Sequence, residues 1–319
     1  MDSTGCRLRH IRFAGVEQAT DRGLRAGKVR GGALGDSFVR NGSAAGGPRR
    51  AARLAPVLRT AIAECVDPFI DWLFCEAGLN PVAYRPAALS RRLPACLRAL
   101  RVSSTDSAKV CLEREPSLLG RAVDALLLGV SGFFRDKRVF EQLSGSVLPE
   151  LLSGGRGLRV CSAGCSDGQE LYSVAMLLEQ LGGLAQSYLL GLDCRTNALT
   201  RARFGWFPAG ELEGVTAELR ERFFRLEASG ARISPELRQR TRWVQGDLLA
   251  PYEPVPAWDL ILFRNVGIYL TPQAAASVCE RLVGQLRPGA VLASGKAERP
   301  PADVPLKRIG PCLYRKAGH

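Results

Sequence analysis

Histidine is nearly missing from this 319-residue chain. His10 and His319 are the only two, and both lie near an end. A mechanism with a histidine base is therefore not expected, nor is a zinc site built from histidine and cysteine. No run of about 18 apolar residues occurs, so a membrane-spanning helix is not expected. The longest strongly apolar stretch, Ala122–Val130, is interrupted by Asp124 and fits a buried helix. Aromatic residues make up only 7%, and no basic groove studded with them is visible, which argues against a nucleic-acid partner. No Cys-x-x-Cys pair exists among the ten cysteines, and most (Cys65, Cys75, Cys96, Cys161, Cys279) sit in apolar surroundings. Reduced, buried thiols in a cytoplasmic protein are the expected state.

What is present suits a soluble globular protein: 46% apolar and 24% charged residues, enough for one to two domains. The net charge is +13, which favours anionic partners. Residues 1–53 hold eleven Lys/Arg against four acids, so the tail carries more than half of it. This tail is rich in Gly, Ala and Arg without sustained periodicity, and reads as disordered. A misplaced start would also explain it. No apolar core follows its first basic residues, so a signal peptide is not expected.

Residues 54–135 read as a small all-helical domain. Val57, Ile62, Val66, Phe69, Ile70, Leu73 and Phe74 recur at helical steps. A second run holds Leu89, Leu93, Leu97 and Leu100, with Pro94 expected to kink or break it. A third helix is expected at Pro116–Leu128. A loop and helix, Phe140–Leu152, lead onward. From Leu158 the texture becomes α/β. Strands are expected at Leu158–Ser162, Tyr188–Leu192, Trp243–Gln245, Leu260–Phe263 and Ala290–Ser294, with a last short one at Cys312–Tyr314. Helices are expected at Glu170–Leu181, Arg195–Phe204 and Pro272–Leu286. Alternation of this kind predicts a doubly wound, mostly parallel sheet over residues 136–319. An excursion with short helices and turns interrupts it at about 205–241.

In open parallel sheets ligands bind beyond the carboxyl ends of the strands. The turn Ala163-Gly164-Cys165-Ser166-Asp167-Gly168 follows strand one and lacks the full GxGxxG spacing, which disfavours a dinucleotide pyrophosphate. A plain strand–helix turn is the bland alternative. Asp193 ends strand two, where an acid can accept two ribose hydroxyls or simply cap a helix. Asp247 follows strand three and can bond an adenine amino group or cap the Leu248-Leu249 turn. A glycine loop and a ribose acid without a phosphate motif point to S-adenosylmethionine, a nucleoside joined to an amino acid.

Three motifs add a resemblance. Ser131-Gly132-Phe133-Phe134-Arg135-Asp136 resembles the T-x-F-F-R signature of chemotaxis protein-glutamate methyltransferases, the CheR type. Cys165-Ser166-Asp167-Gly168-Gln169-Glu170-Leu171-Tyr172-Ser173 resembles their C-S-T-G-E-E-P-Y-S loop, and Phe263-Arg264-Asn265-Val266-Gly267-Ile268-Tyr269 their C-R-N-V-L-I-Y. Ser294-Gly295-Lys296-Ala297-Glu298 looks like a degraded G-H-S-E. The resemblance covers about Ala55 to Lys316. It implies a helical N-terminal domain and a Rossmann-like class I methyltransferase domain with a small inserted antiparallel β-subdomain. It also implies S-adenosyl-L-methionine as cofactor, S-adenosyl-L-homocysteine as product, and methyl-esterification of receptor glutamates. By the same resemblance Ser131 and Gly164 line the cofactor site, Arg135 contacts the cofactor carboxylate, and Glu170 lies near its amino group. Asp193 holds the ribose, and Asp247 and Leu248 flank the adenine. Arg264 and Asn265 are counted with the cofactor-binding residues and, with Tyr269, line the transfer site. From the mechanism, Arg264 is expected to orient the incoming carboxylate.

The implied partner is the acidic helical cytoplasmic region of chemoreceptors, met by Arg91, Arg92, Arg98 and Arg101. The stretch Glu227–Ala231 is short for the family's pentapeptide-docking loop, so tail tethering is not expected. A cytoplasmic monomer with no metal, no nucleic acid and no membrane insertion is expected. The competing reading is a catalytically weak cofactor-binding sensor or scaffold of a chemosensory pathway. Departures at Ser131, Gln169, Asp247, Lys296 and Ala297 suggest it. Nucleic-acid methylation is disfavoured, because no Asn-Pro-Pro-Tyr-type motif follows strand four.

Overall fold

Asp67 opens the first helix by accepting a hydrogen bond from the Phe69 N–H at 2.9 Å. Pro68 at the first helical position needs no N–H partner. The structure, a computed structural model, describes residues 67–127, 129, 131–250 and 258–318, which all fall within one structural unit. The expected tail, and Val57, Ile62 and Val66 of the first apolar run, lie outside the described residues. Helix α1 (Pro68–Glu76) buries Phe69, Ile70, Leu73 and Phe74, the face its spacing predicts. Helices α2 (Pro86–Ser90) and α3 (Leu93–Leu100) are separate, with Pro94 in the first turn of α3, so the proline breaks the run. Helix α4 (Thr105–Arg114) was not expected. It is polar and buries only Ala108 and Leu112, too few contacts to mark a face. Helix α5 (Leu119–Leu126) follows a 3-10 turn at Pro116–Leu118.

The next helical stretch begins earlier than expected. It comprises α6 (Lys137–Gln142), a π-turn at Leu143–Val147, and α7 (Leu148–Leu152). Pro149 lacks an N–H and crowds the carbonyl one turn back, which accounts for the widened turn.

Strands β1 (Arg159–Ala163) and β2 (Tyr188–Asp193) are almost wholly buried. They alternate with α8 (Gln169–Gln180) and α9 (Thr196–Phe204). The excursion then contributes β3 (Trp206–Pro208), α10 (Ala217–Phe223), β4 (Phe224–Glu227), β5 (Gly230–Ile233) and α11 (Pro235–Arg240). The chain returns through β6 (Thr241–Gln245), β7 (Trp258–Phe263), α12 (Pro272–Gln285) and β8 (Leu286–Ser294). It closes with the hairpin β9 (Leu306–Gly310) and β10 (Leu313–Lys316). Among the described residues the main sheet runs β6-β2-β1-β7-β8-β10-β9, and its first five strands are parallel. Strand β9 was not expected: it is an edge strand carrying Lys307 and Arg308, with no buried residue. A separate antiparallel sheet, β3-β5-β4, forms the inserted subdomain. Only Ala228 and Ser229 join β4 to β5.

Phe133 packs edge-on against Phe207 at 4.9 Å and Phe224 at 5.3 Å, tying the segment before α6 to the small sheet. Its neighbour Phe134 meets Phe140 at 5.5 Å. The helical segment shares a hydrophobic cluster with the main sheet and α12, in which Phe69, Leu89 and Leu126 join Ile261, Leu292 and Val278. The two are also stitched by backbone. Tyr84 and Leu270 form an isolated antiparallel bridge, the Arg85 N–H donates to the Tyr269 carbonyl at 2.8 Å, and the Thr271 N–H donates to the Ala83 carbonyl at 2.8 Å.

Candidate functional site

One cavity lies at the carboxyl ends of β1, β2, β6 and β7. Ser131, Arg135, Gly164, Glu170, Asp193, Asp247, Leu248, Arg264, Asn265 and Tyr269 all line it. Tyr84, Cys194 and Arg195 line it as well, and the sequence reading did not single them out.

The turn after β1 is shaped by positive φ at Gly164 (77°), Ser166 (53°) and Gly168 (93°). Gly164 is required: a Cβ there would collide with Val266. Ser166 adopts the left-handed region without being glycine, a cost found where a site dictates the backbone. Its N–H donates to Asp193 Oδ2 at 2.8 Å. Asp193 also accepts from the Arg195 N–H at 2.9 Å and from Arg195 Nε at 3.1 Å. Both side chains of this ion pair are about 95% buried, so each needs the other. The only signal for Arg195 was its place two residues after the strand-end acid, where one carboxylate can take both its backbone N–H and its guanidinium.

Asp247 does what its bland reading described and also faces the cavity. Its Oδ1 accepts from the Leu249 N–H at 2.9 Å and so caps the turn. Burial pushes its carboxyl up, against that hydrogen bond and the charge of Arg281.

Arg264 is the hub of a charge chain. Its Nη1 donates to Glu170 Oε2 at 2.7 Å, and its Nη2 donates to Asp136 Oδ2 at 2.7 Å and to the Arg135 carbonyl at 2.9 Å. The side chain is fully buried, with its guanidinium 5.5 Å from the Phe140 ring centroid. Burial pushes the Glu170 carboxyl up, while the charge and hydrogen bond of Arg264 pull the other way. Asp136 also pairs with Lys296 at 2.6 Å. Burial works to raise the Asp136 carboxyl, but the Lys296 hydrogen bond and the charges of Arg264 and Lys296 outweigh it and hold it below the usual carboxylate range.

Glu298 organises the loop after β7. Its carboxylate accepts from the N–H groups of Asn265 and Val266 at 2.6 Å, Gly267 at 2.7 Å and Gly295 at 2.9 Å. Gly295 has to lack a side chain, since a Cβ would strike Glu298 Oε2. Asn265 is held at φ 60°. Glu298 closes the degraded G-H-S-E segment, and that final acid was the one available signal for its role.

A mostly parallel sheet with this cavity at its strand ends is an α/β domain with its ligand-binding crevice where such sheets place it. The donor set fits a nucleoside joined to an amino acid: a glycine cradle, a strand-end acid, a guanidinium and a second acid. Residues 129–308 match the family described as CheR methyltransferase, SAM binding domain. The chain is 31% identical to a chemotaxis protein methyltransferase of Listeria monocytogenes, over 76% of this chain and 93% of that protein. It is 32% identical to chemotaxis protein methyltransferase 2 of Pseudomonas aeruginosa, over 77% of this chain and 90% of that one. A probable biofilm formation methyltransferase, WspC, of the same species is 28% identical over 73% of this chain and 56% of its own length. The chain belongs to the CheR methyltransferase family, and its cofactor is S-adenosylmethionine. No helix among the described residues is long and apolar enough to cross a membrane.

Proposed function

We propose that this chain methyl-esterifies glutamate side chains in the acidic helical cytoplasmic region of chemoreceptors, and that it does so in the cytoplasm. The observation carrying the proposal is the convergence of Arg135, Glu170, Asp193, Arg264, Asn265 and Tyr269 on one cavity at the strand ends. The bound cofactor supplies a sulfonium methyl group to a carboxylate oxygen in one in-line displacement that moves no proton. A glutamate carboxylate is already ionised at neutral pH, so the protein needs no general base. Its task is to hold oxygen and methyl carbon about 3 Å apart and in line. In this reading Ser131 and Gly164 shape the cofactor wall, Arg135 receives the cofactor carboxylate and Glu170 its ammonium. Asp193 takes the ribose hydroxyls, with Asp247 and Leu248 beside the adenine. Asn265 and Tyr269 bound the transfer end. Receptor acids meet Arg91, Arg98 and Arg101, which are exposed; Arg92 is half-buried and donates to the Ala125 carbonyl at 3.2 Å. The domains of this reading are 54–135 and 136–319, with the insert at about 205–241.

One role changes. The sequence-based expectation gave Arg264 the incoming carboxylate. Its buried guanidinium is instead committed to Glu170, Asp136 and the Arg135 carbonyl, so we assign it a positioning role. Arg264→Lys keeps the charge but not the planar fork. It is expected to lower kcat/KM for methyl transfer more than tenfold, measured at a temperature where a thermal melt shows the variant folded, since losing the fork also destabilises the buried charge chain. A wild-type rate would remove Arg264 from the site's machinery.

The decisive assay supplies methyl-labelled S-adenosylmethionine to chemoreceptor-containing membranes. Protein label released by alkali as volatile methanol is expected, since a carboxyl methyl ester saponifies. Intact cofactor binding without alkali-labile label would favour the sensor or scaffold reading.

A further inference from the structure

Tyr84 belongs to the helical segment, yet it lines the same cavity as Asp193, Cys194 and Asp247. It follows the 3-10 turn Pro81–Ala83, where Asn80 Oδ1 accepts from the Val82 N–H at 3.3 Å. Its residue surface is 6% exposed, and its ring meets Phe74 edge-on at 4.9 Å. Its backbone is fixed on both sides by the bridge to Leu270, and Arg85 Nε adds a hydrogen bond to the Leu270 carbonyl at 2.6 Å. The ring is therefore placed by packing and main chain together.

The acid at the end of β2 and the acid after β6 mark the nucleoside end of the cavity. Arg135, Glu170 and Arg264 mark the amino-acid end. Tyr84 neighbours the first group. Burial pushes its phenol well above the ordinary range; Cys194, Asp247 and Asp193 push the same way, and Arg195 opposes them. The hydroxyl thus keeps its proton at neutral pH and stands as a donor. A buried phenol pairs an apolar body with one polar tip, which suits a purine nucleoside with its flat ring and its acceptor atoms.

Resting on the cofactor assignment above, we infer that the Tyr84 hydroxyl donates a hydrogen bond to the adenosine moiety, so that the helical segment completes the nucleoside site. Binding specificity for adenosine is then shared between the sheet and a residue outside the matched domain, which begins at residue 129.

Tyr84→Phe tests this, because the ring that packs on Phe74 is retained. Two ligands are titrated by calorimetry into the full chain. S-adenosylhomocysteine carries both ends of the cofactor, and methylthioadenosine carries only the adenosine end. Both dissociation constants are expected to rise by the same factor, about three- to tenfold, the effect of one lost hydrogen bond. Unchanged binding of both overturns the inference. Weakening of S-adenosylhomocysteine alone also overturns it, because the effect would then sit at the amino-acid end and reach it through the Tyr84–Leu270 bridge. Failure of the wild-type chain to bind either ligand would remove the cofactor assignment, and this inference with it.

Discussion

Asp193→Ala is expected to raise the dissociation constant for S-adenosylhomocysteine at least about 100-fold. Two losses combine. On the proposed reading the ribose loses its acceptor, and the Ser166 N–H loses the carboxylate that holds the turn after β1. The substitution also strands the Arg195 cation, whose side chain is 5% exposed. Breaking such a buried pair costs about 3–5 kcal/mol of stability. Binding therefore has to be measured by calorimetry at a temperature where a thermal melt shows the variant folded. Asp193→Asn keeps the shape and one acceptor oxygen. It is expected to weaken binding about tenfold with a smaller loss of stability. Wild-type affinity in the asparagine variant, measured on folded protein, would take Asp193 out of the ribose site.

Glu298→Ala has the second large expected effect. One carboxylate serves four backbone N–H groups, and hydrogen bonds to a charged partner contribute about 1.5–3 kcal/mol each, not additively. With alanine the four donors lose their acceptor and the loop from Asn265 to Tyr269 loses its anchor. Stability is expected to fall by several kcal/mol, read as a lowered denaturant midpoint. Methyl transfer is expected to fall about 100-fold even where the variant is folded. Glu298→Gln offers a single carbonyl oxygen and should lie between the two. An alanine variant within about 1 kcal/mol of wild type, with its rate intact, would show that the loop holds its shape without this residue.

The buried strands were legible because a strand covered on both faces must be apolar throughout. Tyr188–Leu192 and Leu260–Phe263 read that way, and Leu158–Ser162 does so at Leu158, Val160 and Cys161. Glycine placement and strand-end acids then located the side of the sheet on which the cavity opens. Helix α4 was illegible for the converse reason: two buried residues in ten give no periodic face. Strand β9 was hidden by its lysine and arginine, which an exposed edge favours. Much of the cavity's lining was legible, but not Tyr84, Cys194 or Arg195, and not the pairings. Arg264 binds an acid 94 positions earlier and another 128 positions earlier, and no local pattern announces such partners. Glu298 went unassigned for the same reason, since three of the four N–H groups it holds lie 31 to 33 positions earlier. Arg195 is different: its acid stands two positions away, but a two-residue spacing alone does not announce a buried ion pair.

The stitch between residues 83–85 and 269–271 bears on how this protein could be rearranged by recombination. A crossover near residue 129 would look safe on a linear map of the chain. It would nevertheless separate two halves of one backbone bridge and divide an apolar cluster to which both sides contribute. A chimera joined there would bring a foreign partner to Leu270, in the segment between β7 and α12. The main-chain bonds of the stitch accept any residue with an N–H, so they bar proline at 85 and 271 and leave the other side chains free; only Arg85, whose Nε donates to the Leu270 carbonyl, is used by its side chain.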